Sequence, residues 1–423
     1  MPARFLQLHT LTSYPAALLN RDDAGLAKQM PFGPAPRTRI SSQCLKRHWR
    51  TYRGPGDLAS LGELSVRSRE TFRQKIAEPL IAAGHPAAAV DAVVGELIRR
   101  TLGESALKAK ERAAADEEET DDGPAEPDSA KKKDPLHTGQ VTVLGAKEVA
   151  YLKDLALRTL PAVKDLKKVG EAVAATVGGK QPDKELKKNL QALAVGAGLD
   201  AAVFGRMVTG DILARCDAAV HVAHAFTVHS AQAEADYFSA VDDLTQEAGE
   251  TGAGHINSTD LTSGIFYGYV AIDVPLLVAN LTGCDLRQDP GAWLKEDRAL
   301  AGKIVAALAN LIATVTPGAK LGSTAPHSFA HLVLAEAGDR QPCTLANAFL
   351  KPVSLEGDPL GNTYAALAQE LIDLDWNFPD PPRRIHLARG EATRYARLGN
   401  AATLGERKNL SDLAAWLAAQ VTG

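Results

Sequence analysis

RFLQLHTLT, residues 4–12, alternates in part: Leu6 and Leu8 fall on one side, Gln7 and His9 on the other. That period of two predicts a β-strand at the start of the chain. SYPAALLNRDDAG then reads as a turn-rich polar loop, and PFGPAP as an extended run, because proline fixes φ and restricts the residue before it. TRI predicts a short strand running into a helix capped by Ser41 or Ser42. From about residue 57 the pattern turns helical, with VDAVVGELIRRTL its clearest amphipathic piece. AAADEEETDDGPAEPDSAKKKD interrupts it with dense acid, Pro and Gly, the composition of a solvated, disordered insert. Helical patterns resume in GAKEVAYLKDLALRTLPAVKDLKKVGEAV and PDKELKKNLQALAVGAGL.

Past about residue 203 the texture changes. AAVHVAHAFTVHS and GIFYGYVAIDV read as strands, separated by the polar excursion EADYFSAVDDLTQEAGETGAGHINSTD. LKEDRALAGKIVAALANLIATV predicts a helix stopped by Pro317 and Gly318, the last hundred residues a mixture of short elements, and LSDLAAWLAAQV a closing capped helix. Helices lying between one early strand and several late ones predict an α+β domain with a helical insertion, not alternating βαβ units. No repeat at solenoid spacing is present in the sequence.

The 423 residues carry a formal charge of −4 and an ordinary 45% of hydrophobic residues, enough for a sizeable core. Cys44, Cys216, Cys284 and Cys343 lie far apart with no CxxC pair, which argues for plain thiols and against a zinc site. The amino end lacks the apolar core of a signal peptide, and no apolar run approaches a membrane span. A cytoplasmic protein with no cofactor, metal or membrane partner is expected.

The charge is unevenly spread. Residues 1–53 hold Arg4, Arg21, Lys28, Arg37, Arg39, Lys46, Arg47, Arg50 and Arg53 against only Asp22 and Asp23. Within RISSQCLKRHWR (39–50), free N–H groups at a helix start, the hydroxyls of Ser41 and Ser42, the amide of Gln43, and Lys46 and Arg47 compose a phosphate cradle. The plainer reading is a solvated basic helix face; the contrast with an acidic chain favours a polyanion. HVAHAFTVH (221–229) tempts a metal reading. On one strand, however, His221 and His229 share a face that His224 does not, so three ligands cannot converge. TGAGHINSTD and LAVGAGLD lack the strand-to-helix context of dinucleotide loops. Tyr237 and Phe238 stand in a polar segment where an aromatic can wedge against a base or fold back on the core. GRMVTG offers an adaptable methionine, or simply a core one beside a turn. Lys180, Lys184, Lys187 and Lys188 make a basic helix face that is solvated or meets a second polyanion.

LHTLTSYP, LNRDD, RISSQCLKRHWR, GRM, HVAHAFTVH, DYFSAVDDL, SGIFYGY, TPGAK and ANAF occur in that order over most of the chain. Together they closely resemble the CasC family, the repeated backbone subunit of the type I-E CRISPR surveillance complex Cascade; RISSQ-x-LKR and YF-x-AVDDL are its specific motifs. The resemblance implies an RRM-like (ferredoxin-like) palm over 1–56 and 203–423 with a β-hairpin thumb at about 230–262. A helical finger would span 57–202 and carry the acidic insert at about 113–138. It implies a non-catalytic subunit that polymerises head to tail along CRISPR RNA, displaces bases periodically and presents the rest to target DNA. Its partners would be CRISPR RNA, target DNA, copies of itself, and CasA, CasB, CasD and CasE.

By the same resemblance Asn20, Arg21, Lys28, Arg39, Ser41, Gln43, Lys46, Arg47 and Arg50 hold the RNA backbone. Met207, after Arg206, and Phe238 stack beside the displaced base, Tyr237 and Ser239 shape the thumb tip, and the lysines from 180 to 188 face target DNA. Cys44 stands where the family commonly has serine, and Pro34 and Pro36 replace a glycine-rich approach. The competing expectation is an RNA-processing endoribonuclease of the same system, with His9, His221, His224 or His229 as its base.

Overall fold

The computed structural model describes residues 1–103, 134–193, 197–206, 216–241, 253–390 and 404–423, with backbone alone at 191–192, 237–241 and 253–259. The first strand, β1 (Phe5–Ala17), lies in the middle of a ten-stranded sheet. Its neighbours come from far along the chain: β9 (Ala253–Asp273) on one side and β10 (Leu332–Gly338) on the other, both antiparallel. The predicted strand is therefore longer than RFLQLHTLT. It runs through Pro15 with a register shift between Tyr14 and Ala17, where a polar loop is expected from sequence. Beyond β10 follow β11 (Arg383–Ala388) and the short parallel β12 (Glu406–Arg407). Beyond β9 follow β7 (Ala225–Thr227), β3 (Ala35–Ile40) and β2 (Gln29–Phe32), while β6 (Val220–Val222) also pairs with β9. HVAHAFTVH is thus two short strands rather than one.

Both faces of the sheet are covered, so β1 is apolar or buried throughout its first half. Leu6 and Leu8 join Val270, Ile272, Val333 and Ala335 under the helices Val274–Thr282, Ala299–Thr314 and Leu410–Thr422. Leu11 turns to the opposite face, where Tyr267, Leu334 and Phe349 pack against the helix Pro359–Asn377. That nineteen-residue helix replaces the expected mixture of short elements. Gln7 and His9 share Leu11's face and are buried, satisfied by polar partners. Glu336 Oε2 accepts from Gln7 Nε2 at 3.1 Å and lies 3.2 Å from His9 Nε2, and Tyr267 Oη lies 2.9 Å from His9 Nδ1. Glu336 Oε1 accepts from Arg384 Nε at 2.6 Å.

The β2–β3 hairpin turns at Gly33, whose φ of 65° is a left-handed conformation and whose Cβ, were there one, would sit 1.9 Å from the Leu350 carbonyl oxygen. Only glycine fits there. At the other end of the sheet, β9 outruns its neighbours. Where the pairing Ala17–Thr262 ends, residues 253–262 continue with β8 (Ala233–Val241) as an antiparallel hairpin on the order of 30 Å long. The expected polar excursion is therefore largely strand.

Residues between the first helix and residue 190 have a hydrophobic cluster of their own, centred on Phe72, Ile76, Val94, Leu97, Leu152, Leu155 and Leu190. They form the helix Ala87–Leu102 among others, but not the continuous helical pattern expected from residue 57. A 3-10 turn at Leu58–Ser60 comes first, then β4 (Val66–Ser68), which pairs with β5 (Thr142–Leu144). The acidic insert lies mostly outside the described residues, but its expected end at 138 is too late. Asp134 pairs with Arg73 at 2.6 Å, and Leu136 is fully buried in the cluster. No helix among the described residues is long and apolar enough to cross a membrane.

Candidate nucleic-acid interface

The helix at RISSQCLKRHWR is α1 (Ser42–Thr51), and Ser41 is its N-cap as expected: Ser41 Oγ accepts from Cys44 N at 3.2 Å. Trp49 is buried beneath it, while Cys44 and Leu45 are half-buried on the same side. The other face carries Gln43, which is exposed, with Lys46, Arg47 and Arg50, which are half-buried. The helix start, however, is not an empty cradle. Asn20 Oδ1 accepts from Ser41 N at 2.8 Å, and His224 Nδ1 accepts from Ser42 N at 3.2 Å. The amides of Ser41, Ser42 and Cys44 therefore have partners within the chain, and Asn20, itself buried, positions the helix rather than reaching outward. This corrects the expectation of free first-turn amides; what faces outward is side-chain charge.

That charge is concentrated. Arg39 Nη1 lies 3.4 Å from His224 Nδ1, and the Arg39 backbone N–H donates to Lys28 O at 2.8 Å, so Lys28, Arg39 and His224 gather at the head of α1. Partial burial, then the charges of Arg39 and Lys28, push the His224 pKa down, which keeps its ring neutral as the acceptor that Ser42 requires. Arg21 sits nearby in a tight bridge with Ala27. Lys46 lies 6.0 Å from the Phe204 ring, and burial together with the neighbouring Arg67 holds its amine below the usual value. Arg50 Nε is 4.0 Å from Asp200 Oδ2, a buried carboxylate that also accepts from Arg67 Nε at 3.2 Å and Ser65 N at 2.6 Å. Gln43 is exposed, and its Oε1 accepts from Ser42 Oγ at 3.2 Å.

Other expected contacts fall elsewhere. Arg206 is fully buried: its Nη1 donates to Glu148 Oε2 at 2.6 Å, tying the helix Ala146–Thr159 to the chain's return toward the large sheet. Its guanidinium is turned inward in this conformation. Met207 lies outside the described residues. Tyr237, Phe238 and Ser239 stand on β8, paired with Ser258, Asn257 and Ile256 of β9. Lys184, Lys187 and Lys188 lie on the helix Pro182–Ala192; Lys184 and Lys188 are exposed, and Lys188 is 3.9 Å from Glu185. Lys180 precedes that helix instead of continuing its face. Arg37, part of the basic tally, is fully buried and donates to the carbonyls of Thr227 at 3.1 Å and Phe349 at 2.8 Å.

Two residues join the patch without having been singled out for it. Arg67 comes from β4, and nothing in its sequence neighbourhood marks it. His224 was weighed only as a ligand or base; its adjacency to the head of α1 follows from β3–β7 pairing at Ile40–Ala225. Among the described residues, no group of three or more His, Cys, Asp or Glu side chains is arranged to hold a metal ion.

Comparison with solved structures finds the whole architecture again. A chain of a "CRISPR RNA-guided surveillance complex, pre-nicking" superposes with a TM-score of 0.73 at 25% identity, covering 98% of this chain and 100% of that one. A chain of a second "CRISPR RNA-guided surveillance complex" shares the fold with a TM-score of 0.62 at 22% identity, over 97% and 99% of the two chains. No curated protein matches the sequence. The family model described as CT1975-like protein (Cas_CT1975) matches residues 6–416, and the chain belongs to that family.

Proposed function

We propose that the chain is the repeated backbone subunit of a CRISPR RNA-guided surveillance complex, of the CasC kind found in type I-E Cascade, and that it binds the guide without cleaving it. The observation that carries this reading is the basic patch along α1 and at its head. Lys46, Arg47 and Arg50 lie along the helix and Arg39 on β3, which pairs into the large sheet, with Lys28 beside Arg39. Phosphate contacts of this kind give affinity with no preference for sequence, which a guide carrier requires because base pairing supplies the specificity.

In this reading the β8–β9 hairpin is the thumb and presents Phe238 to a displaced base. The cluster around Phe72 and Leu155 is the core of the finger, whose Lys180, Lys184, Lys187 and Lys188 face target DNA. Copies stack head to tail along the RNA in the cytoplasm, beside CasA, CasB, CasD and CasE. The test is binding of unrelated RNAs by Lys46→Glu: affinity should fall alike for all of them. A loss confined to particular sequences, or RNA cut by the purified chain, would count against the proposal.

A further inference from the structure

We propose that the chain carries both halves of a contact with a second copy of itself: an aromatic knob, Trp376 with Phe378, and a cavity beside Phe329 that receives it. The proposal rests on the head-to-tail reading above and names the residues that would make it.

Trp376 is 88% exposed and Phe378 56%. The helix Pro359–Asn377 buries Tyr364, Leu367 and Leu371 against the sheet, and Trp376 stands on its last turn, beyond that packing. The chain then passes Pro379, Asp380, Pro381 and Pro382 to enter β11, and prolines make this a stiff strut. Phe378 N donates to Leu374 O at 2.8 Å, and Arg340 Nη1 donates to Phe378 O at 3.2 Å, so the pair is tied down rather than frayed. Two large aromatic residues held rigidly in water mark an interaction site.

The cavity, about 480 Å³, lies at the far end of β11. Phe329, Leu387 and Leu410 line it with apolar surface, and Arg389, Arg407 and Lys408 line it with cations. Phe329 is itself 62% exposed. Arg407 is anchored by a 2.8 Å bond to Ala388 O, and Lys408 leans on Glu406. Apolar surface lined also by cations suits an indole, whose negative face attracts them. Asp373, exposed one turn before Trp376, brings a carboxylate to the knob side of the same contact.

A single chain cannot join its own two halves. The knob precedes Arg383 and the cavity is lined by Leu387, about 13 Å further along β11. The knob's helix covers the sheet face of Leu334, while Leu387 and Leu410 belong to the opposite face with Leu8. Knob and cavity on opposite sides make a heterologous contact, which repeats from copy to copy without closing.

The test uses the full-length chain in sedimentation velocity over a concentration series, with circular dichroism to verify folding. Wild type should associate progressively. Trp376→Asp and Phe329→Glu, both at exposed positions, should each remain monomeric, raising the concentration for half-association about thirtyfold or more. Mixed, they should form one-to-one dimers that grow no further, because one retains the cavity and the other the knob. Monomeric wild type, single variants that assemble normally, or a mixture of folded variants that stays monomeric would each overturn the contact. Anisotropy with a short RNA separates the two proposals: assembly lost with RNA binding kept supports the contact, whereas wild type that fails to bind RNA undermines only the guide-carrier reading.

Discussion

Substituting Lys46 by alanine tests the interface through salt. Five cations line α1 and its approach: Lys28 and Arg39 at its head, Lys46 and Arg47 along it, and Arg50 in its last turn. On single strands each neutralised phosphate contributes about −0.7 to the slope of log affinity against log salt, so five give about −3.5 per subunit. Between 50 and 200 mM salt, wild type should therefore lose about 130-fold in affinity. Lys46→Ala should flatten the slope to about −2.8, a loss of about fiftyfold over the same interval. Fluorescence anisotropy with several short RNAs of unrelated sequence, at four or five salt concentrations, measures both quantities. Arg206→Met combined with Glu148→Leu is the internal control, since both partners of that buried ion pair are removed together and its slope should match wild type. A Lys46→Ala slope equal to wild type, or slopes that differ between RNA sequences, would refute the phosphate assignment.

Arg206→Ala leaves Glu148 buried without its partner and should cost roughly 3–5 kcal/mol, whereas Arg206→Met with Glu148→Leu should recover most of it; urea denaturation gives both values. If the single variant were as stable as wild type, the ion pair would have no structural role. Ser41→Ala removes the α1 cap and should cost about 1 kcal/mol, read as a lower urea midpoint. Burial pushes the Glu336 carboxyl up, but hydrogen bonds and charge from His9 and Arg384 bring it down to about 2. A depressed carboxylate stabilises the fold above its unfolded value near 4.5, and that stability is lost as pH falls toward 2. The stability advantage over Glu336→Gln should shrink across that window; a constant difference would argue against the ion pair. Phe238→Ala should leave RNA affinity nearly intact while blurring the periodic chemical-probing pattern along bound RNA, and an unchanged pattern would exclude its wedge role.

The parts of the fold legible in the sequence are those whose signal is local. Ser41 and the Leu45–Trp49 spacing announce α1, and the apolar runs of β1, β9 and the helix Ala299–Thr314 announce themselves by period and composition. Where structure depends on distant partners, the signal fades. β4 and β5 are three residues each and exist because Val66 meets Leu144. Pro15 hides the second half of β1, which tolerates it at a register shift. Pro359 opens the helix Pro359–Asn377, where its missing N–H costs nothing. The β8–β9 hairpin lacks a core-facing alternation because it leaves the sheet. The basic cluster was equally visible, but not which cations turn inward. Arg37 and Arg206 resemble their neighbours in type, and the carbonyls of Thr227 and Phe349 and the carboxylate of Glu148 that claim them lie far away in sequence.

The placement of β1 has a consequence for how the chain is made. Its first strand to leave the ribosome can find no neighbour until residues 253–273 and 332–338 have followed. Contacts this distant in sequence close slowly. Meanwhile the helices around Phe72 and Leu155 have the hydrophobic partners of their cluster within residues 72–190 and can consolidate first. During synthesis the nascent chain therefore holds an orphaned strand beside an already compact lobe, an intermediate that invites chaperone capture and leaves premature truncations insoluble.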